Sequence, residues 1–334
     1  MKLSRKGFLA EESRDGREKV KDPAPGNGMQ GAASGDGPPV AYDPGIARFL
    51  EEIYTVCNRI ERLELDPLAV VRRYSAPEDI EVAGLVCSTL AFGSVELVVR
   101  ACETALKPLG TRPAEALRGM ERRGIERLWG AFQYRFCFPK DMIALMWAIR
   151  KALREYGSLE ALFLKGDGAS MLEAASAFVK NLRRFAGETT PSGLRKNLLP
   201  DPADGSASKR LFLFFRWMVR RDEIDPGCWQ SVDPSRLIVP MDTHMARTCA
   251  ERLHFLPGRR ERAASEGPSS GINPRAGHAQ AAASSPAPGI NLRAALRVTE
   301  AFRLYAPDDP VKYDFALTRP GIDPRPGDER FGCL

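Results

Sequence analysis

From Pro44 onward the apolar residues return every three or four positions, and no run alternates at period two. Without alternating segments there are no half-buried strands, so the core has to come from helices packed on helices. Ile46, Phe49, Leu50, Ile53, Tyr54 and Cys57 mark one amphipathic helix. Ile80, Val82, Ala83, Leu85, Val86 and Leu90 mark another, behind Pro77-Glu78-Asp79, whose acids suit a helix N-terminus. Gly93-Ser94 interrupts the pattern before a helix from Val95 to Leu106. Further helices are expected over 113–129, 139–156, 158–164, 169–186 and 209–221, from near Asp242, over 294–305, and beginning within 309–317. The fold class expected is all-α.

Composition sets the boundaries. Residues 1–41 are rich in Gly, Pro, Ala and charge and read as a disordered leader. A helical body follows over 42–256. At Pro257 the chain turns to Gly, Pro, Ala, Ser and Arg, and within this insert, 257–293, lies Gly271-Ile272-Asn273-Pro274-Arg275-Ala276. It recurs at 289–294 and, altered, as Gly321-Ile322-Asp323-Pro324-Arg325-Pro326-Gly327. The copies are unequally spaced and carry no apolar face, so they do not form a solenoid. The insert and the tail, 318–334, are expected to be disordered and outside any site, while 294–317 forms helices that pack back on the body.

Several function classes fall away. No apolar run is long enough to span a bilayer, and the basic start lacks the apolar stretch of a secretory signal. Seven cysteines stand singly with no CxxC pair, which argues against disulfide, zinc and iron–sulfur frameworks and for a cytoplasmic setting. His254 and His278 lack partners at metal-ligand spacing. No metal and no cofactor is implied, and there is no P-loop, dinucleotide fingerprint or GxSxG elbow. The net charge of +6 is no signature of nucleic-acid binding: residues 1–44 carry seven basic and seven acidic groups, and the segment 257–293 holds five arginines against two glutamates.

The stretch from Lys209 to Leu253 carries the chemistry. Lys209-Arg210-Leu-Phe-Leu-Phe-Phe-Arg216-Trp-Met-Val-Arg-Arg is an apolar helix with five basic residues and no acid before Asp222. It reads either as a core helix with snorkelling arginines or as a helix laying a basic edge along a phosphate backbone. Asp242, in Pro240-Met241-Asp242-Thr243-His244, is placed to cap a helix with its carboxylate. His244, in that helix's first turn, is a phosphate contact or a packing residue. Phe212, Phe214, Phe215, Trp217 and Trp229 are candidate aromatics for stacking on a base or core residues, Arg135 in Gln-Tyr-Arg-Phe-Cys-Phe is a further phosphate candidate, and Lys312 and Asp314 are site candidates or helix-start ion-pair residues.

The segment around Asp242 resembles the catalytic-aspartate segment of the helix-hairpin-helix DNA glycosylase superfamily. The chain as a whole resembles the bacterial "domain of unknown function 2400" family through five blocks in order, at 42–59, 79–93, 208–222, 234–247 and 309–317. The glycosylase likeness implies two helical subdomains flanking a cleft, with Asp242 as the catalytic aspartate. Lys209 precedes it by 33 positions, similar to the lysine–aspartate separation in archaeal 8-oxoguanine glycosylases. The superfamily's Leu-Pro-Gly-Val-Gly hairpin is absent, with Asp225-Pro226-Gly227 a weak stand-in. The activity implied is excision of a damaged base from duplex DNA, with strand cleavage through a Lys209 Schiff base, and Arg210, Arg216, His244 and Lys312 contacting nucleic acid. The rival readings are a non-catalytic DNA- or RNA-binding protein and a degraded family member.

Overall fold

The computed structural model describes residues 39–168, 170–189, 193–257 and 290–331. The leader, the first copy of the repeat and His278 lie outside these residues. Among the described residues there are thirteen α-helices and no strand. They are α1 (Pro44–Cys57), α2 (Leu68–Val71), α3 (Pro77–Leu90), α4 (Val95–Leu106), α5 (Pro113–Gly119), α6 (Arg122–Trp129), α7 (Pro139–Tyr156), α8 (Leu159–Lys165), α9 (Met171–Gly187), α10 (Lys209–Val219), α11 (Thr243–Glu251), α12 (Leu292–Arg303) and α13 (Asp314–Ile322). None is long and apolar enough to cross a membrane.

The helix α3 forms the axis of the core. Every residue from Asp79 to Leu90 is buried, as suits a helix that is apolar nearly all round, and α2, α4, α5, α8 and α10 pack against it. Gly84 lets α10 come close, since a Cβ there would lie 2.6 Å from Met218 Cε. The α7–α9 pair covers one side, and α13 packs on α1 and α11. The described residues fall within one compact unit, and the cleft described below is a groove between its packed elements.

Three local expectations change. The single helix foreseen over 113–129 breaks at Met120-Glu121, where both residues take extended backbone and Glu121 starts α6. The last helix starts at Asp314, not Asp309, and runs through Pro320, its end closed by the Asp323 N–H donating to the Arg319 carbonyl at 2.8 Å. The tail expected to be disordered is packed as far as Phe331. Asp328, 1% exposed, takes the Arg62 guanidinium in two 2.7 Å bonds, and Arg62 also donates to the Asp323 carbonyl. The repeat at 289–294 likewise has a structural use: Asn291 caps α12 by accepting from the Ala294 N–H at 2.9 Å.

A buried ion network fixes the far end of α10. Arg216 and Arg220, one helical turn apart, are almost wholly buried. Arg216 reaches Asp225 at 2.9 Å and Asp314 at 2.6 Å, while Arg220 reaches Asp222 at 2.6 Å, Asp225 at 2.9 Å and Asp309 at 2.7 Å. The Asp225-Pro226-Gly227 turn that delivers the central carboxylate is tight. Gly227 has φ +55, and a Cβ there would sit 2.5 Å from Arg221 Cβ, so only glycine fits.

Candidate functional site

Lys209 is the first residue of α10 and follows Ser208, a buried non-glycine residue in the left-handed region (φ +43). Such backbone strain costs on the order of 1–3 kcal/mol and persists where its surroundings enforce it. Here the Ser208 N–H donates to Ser206 Oγ at 3.1 Å, turning the chain so that α10 starts beside Asp242. Asp242 has extended backbone and caps α11, its Oδ1 accepting the Met245 N–H at 2.8 Å. Its other oxygen, Oδ2, lies 3.1 Å from Lys209 Nζ. One carboxylate thus does two jobs, one per oxygen.

The pair is neither sealed nor free in water: the lysine side chain is 35% exposed and the aspartate 20%. Burial acts to raise the Asp242 carboxyl, but the Lys209 ammonium, the Met245 N–H and the nearby His244 outweigh it, so the carboxyl lies below its ordinary value. Lys209 and Met241 line an open cleft of about 880 Å³, together with Phe92, Lys196, Ser208 and Arg210. That size falls within the ordinary range for a small-molecule site.

The structure sorts the other candidates. Arg210 is at the cleft, donating to the Thr89 carbonyl at 2.7 Å and to the Asn197 carbonyl, with its guanidinium 5.0 Å from the Phe92 ring centre. Carbonyls solvate it only in part, and burial lowers it to about 10. His244 stands half-buried next to Asp242. Arg216 is not at the cleft surface: it is 3% exposed and locked between Asp225 and Asp314, leaving nothing for a phosphate to touch. Lys312 is also elsewhere, bonded to Glu51 at 2.7 Å and lying over Tyr54 and Tyr313. Asp314 is the buried partner of Arg216. Phe212, Phe214, Phe215, Trp217 and Trp229 are 0–2% exposed, and Phe214, Phe215 and Trp229 stack with Phe163 and Phe178, so none is free to receive a base. The Asp225 turn is likewise spent on Arg216 and Arg220. Among the described residues no group of three or more His, Cys, Asp or Glu side chains is placed to hold a metal.

One cleft aromatic went unread in the sequence. Phe92 sits at the end of α3 just before Gly93, and the turn 134–137 packs on it through Tyr134 and Phe136. The available signal was the Gly93 break and the Tyr-Arg-Phe-Cys-Phe cluster, which drew attention only through Arg135.

The model of the family described as "Protein of unknown function (DUF2400)" matches residues 66–265 and 285–323, well over half of the chain, and the chain belongs to that family. No curated protein and no solved structure matches it.

Proposed function

We propose that this member of the family is a base-excising DNA glycosylase in which Asp242 stabilises the departing-base transition state and Lys209 is the nucleophile of an associated lyase step. The observation that carries the reading is the 3.1 Å approach of Asp242 Oδ2 to the Nζ of Lys209, a lysine that lines an 880 Å³ cleft, between residues 33 positions apart.

A base inside a duplex is out of reach, so it is extruded into the cleft. As the bond from C1′ to the base nitrogen lengthens, positive charge builds on the sugar. A carboxylate held ionised at a helix N-terminus is suited to oppose that charge. Lys209 in the free protein is an ammonium paired with Asp242 and cannot attack. When DNA closes the cleft and removes water, the charged pair loses solvation, which favours passage of the Lys209 proton to the departing base while Asp242 stays ionised against the charge on the sugar. The freed lone pair on Nζ then bonds to C1′ as the base leaves with its bonding electrons and takes up a proton. Ring opening gives an imine, from which β-elimination breaks the 3′ C–O bond.

The second reading is a nucleic-acid binder without chemistry. It is favoured by the fact that the cap to Met245 and the pair to Lys209 account for the placement of Asp242 on their own. Borohydride trapping separates the two. The protein is incubated with duplexes carrying abasic or 8-oxoguanine sites and reduced. A covalent adduct lost in Lys209→Ala supports the lyase, and base release without an adduct, lost in Asp242→Asn, supports a glycosylase alone. Salt-sensitive binding with neither product selects the binder.

A further inference from the structure

Beside the cleft stands an aromatic group that the excision chemistry does not use. Tyr134 and Cys137 exchange backbone hydrogen bonds of 2.9 and 2.7 Å, closing a tight turn with Arg135 in the left-handed region (φ +47) and Phe136 at its tip. Phe136 is 58% exposed, more than any other large hydrophobic residue described. The turn is braced at two points. The Tyr134 hydroxyl donates to the Phe92 carbonyl at 2.5 Å, Arg195 donates to the Phe136 carbonyl, and Arg195 is itself held by the buried Asp141 at 2.8 Å.

The exposed ring continues a stack that begins inside the cleft. The guanidinium of Arg210 lies 5.0 Å from the Phe92 ring centre, and Phe92 lies 6.2 Å from Phe136 with 24° between the ring planes. Arg135 sits 5.7 Å from the Phe136 ring centre. Gly93 makes the arrangement possible: at φ +112, a Cβ there would lie 2.7 Å from Arg135 Nη1 and 2.9 Å from the Tyr134 hydroxyl. An aromatic ring fixed before binding loses little freedom when a planar ligand lands on it. Exposed Gln133, Arg135 and Lys140 flank Phe136 in the chain, and the one other exposed ring nearby, Phe138, has the Arg195 guanidinium 5.0 Å from its centre, a mix of rings and cations that suits a phosphate-bearing strand better than an apolar protein face. No side chain of this ledge reads base edges, so stacking on it is tolerant of sequence.

We propose that Phe92 and Phe136 form a stacking platform for an unpaired nucleotide next to the one in the cleft, and that the protein therefore prefers single-stranded or locally melted DNA. This rests on the reading that nucleic acid occupies the cleft. A paired base has both faces covered by its neighbours in the duplex, whereas an unpaired one offers a face to Phe136.

The test is fluorescence anisotropy with a labelled oligothymidylate of about twelve nucleotides and a blunt duplex of the same length. Phe136→Ala and Phe136→Trp are compared with the unaltered full chain, and thermal melting confirms that both variants are folded. Phe136→Ala is expected to weaken single-strand binding about ten-fold or more, Phe136→Trp to restore it with quenched indole emission, and duplex affinity to stay level. Single-strand binding that is unchanged in Phe136→Ala but lost in Lys209→Gln overturns the platform while leaving the cleft a nucleic-acid site. Equal losses on duplex and single strand overturn the preference for unpaired DNA. Failure of the unaltered protein to bind either probe defeats the nucleic-acid reading of the cleft and the platform with it.

Discussion

Asp242 offers a clean separation between holding the fold and doing chemistry, because Asn and Ala remove different parts of what the carboxylate does. In Asp242→Asn the side-chain carbonyl still accepts the Met245 N–H, and Asn caps helices about as well as Asp. What goes is the charge facing Lys209. That pair is 35% and 20% exposed, so solvent screens it and its net contribution is less than about 1 kcal/mol. Asp242→Ala also removes the cap, a further cost of about 1 kcal/mol. For a domain of this size each kcal/mol moves the melting temperature by about 2–4 °C. The expected order is therefore a small drop for Asn and roughly twice that or more for Ala, read by thermal and urea unfolding at neutral pH. Base release should behave otherwise, falling on the order of 10²–10³-fold in both variants if the carboxylate opposes charge in the transition state. Acid adds an independent check. The folded carboxyl lies below its ordinary 3.8, so its contribution is present above that pH and is lost as pH falls through the folded value. The stability gap between unaltered protein and Asp242→Asn should close below about pH 3.8. If Asn destabilises as much as Ala, the charge is structural and the division of labour between the two oxygens is wrong. If base release survives in Asp242→Asn, the catalytic assignment is wrong.

Three further outcomes follow from buried charge. Asp225→Ala removes the carboxylate that Arg216 and Arg220 share and should cost about 3–5 kcal/mol in urea unfolding, and a loss below about 1 kcal/mol would mean that Asp314, Asp222 and Asp309 suffice. Glu81 is buried, where it accepts the Leu159 and Glu160 N–H groups and the Trp229 indole N–H, and burial pushes it up to about 7. Its contribution is complete below its ordinary 4.5 and is lost as pH rises towards 7, by about 3 kcal/mol. Stability should thus decline over that interval relative to Glu81→Gln, and a relative rise would refute the assignment. Asp328→Ala leaves the buried Arg62 guanidinium without its carboxylate, so the melting temperature should fall clearly, whereas an unchanged value would mean that the pair contributes nothing.

Helices were legible where one face alone decides. The span 139–156 matches α7 because Pro139 starts it, Gly157 ends it at φ +89, and the apolar stripe between needs no partner to be recognised. The Asp242 cap was legible for the same local reason. The tail was not. Its Gly- and Pro-rich composition gave no hint that Asp328 would meet Arg62, 266 positions away, because such pairing exists only after the chain folds back. The basic residues of α10 show the same limit. Arg210 and Arg216 read alike in sequence, but the carboxylates that draw Arg216 inward come from the turn at 222–225 and from Asp314. The Phe92–Phe136 contact is not legible in the sequence, since the two residues are 44 positions apart and neither is unusual alone.

The two ends of α10 are held in different ways, which bears on precision at the site. Lys209 at its N-terminus has a long side chain, 35% exposed, and follows a residue whose strained backbone is held by Ser206. At the other end Arg216 and Arg220 are clamped by four carboxylates, of which Asp225 and Asp314 are buried. A network of that kind contributes little net stability compared with apolar residues of the same shape, but it tolerates only one register, since a shift of the helix would leave a charge buried and unpaired. The same network reaches the site itself. Burial holds the Asp314 carboxyl above its ordinary value despite Arg216, and the Asp242 carboxylate adds to that push. The point from which the Lys209 side chain reaches Asp242 is therefore fixed by the arginines at the opposite end of the helix as well as by the 3.1 Å contact itself.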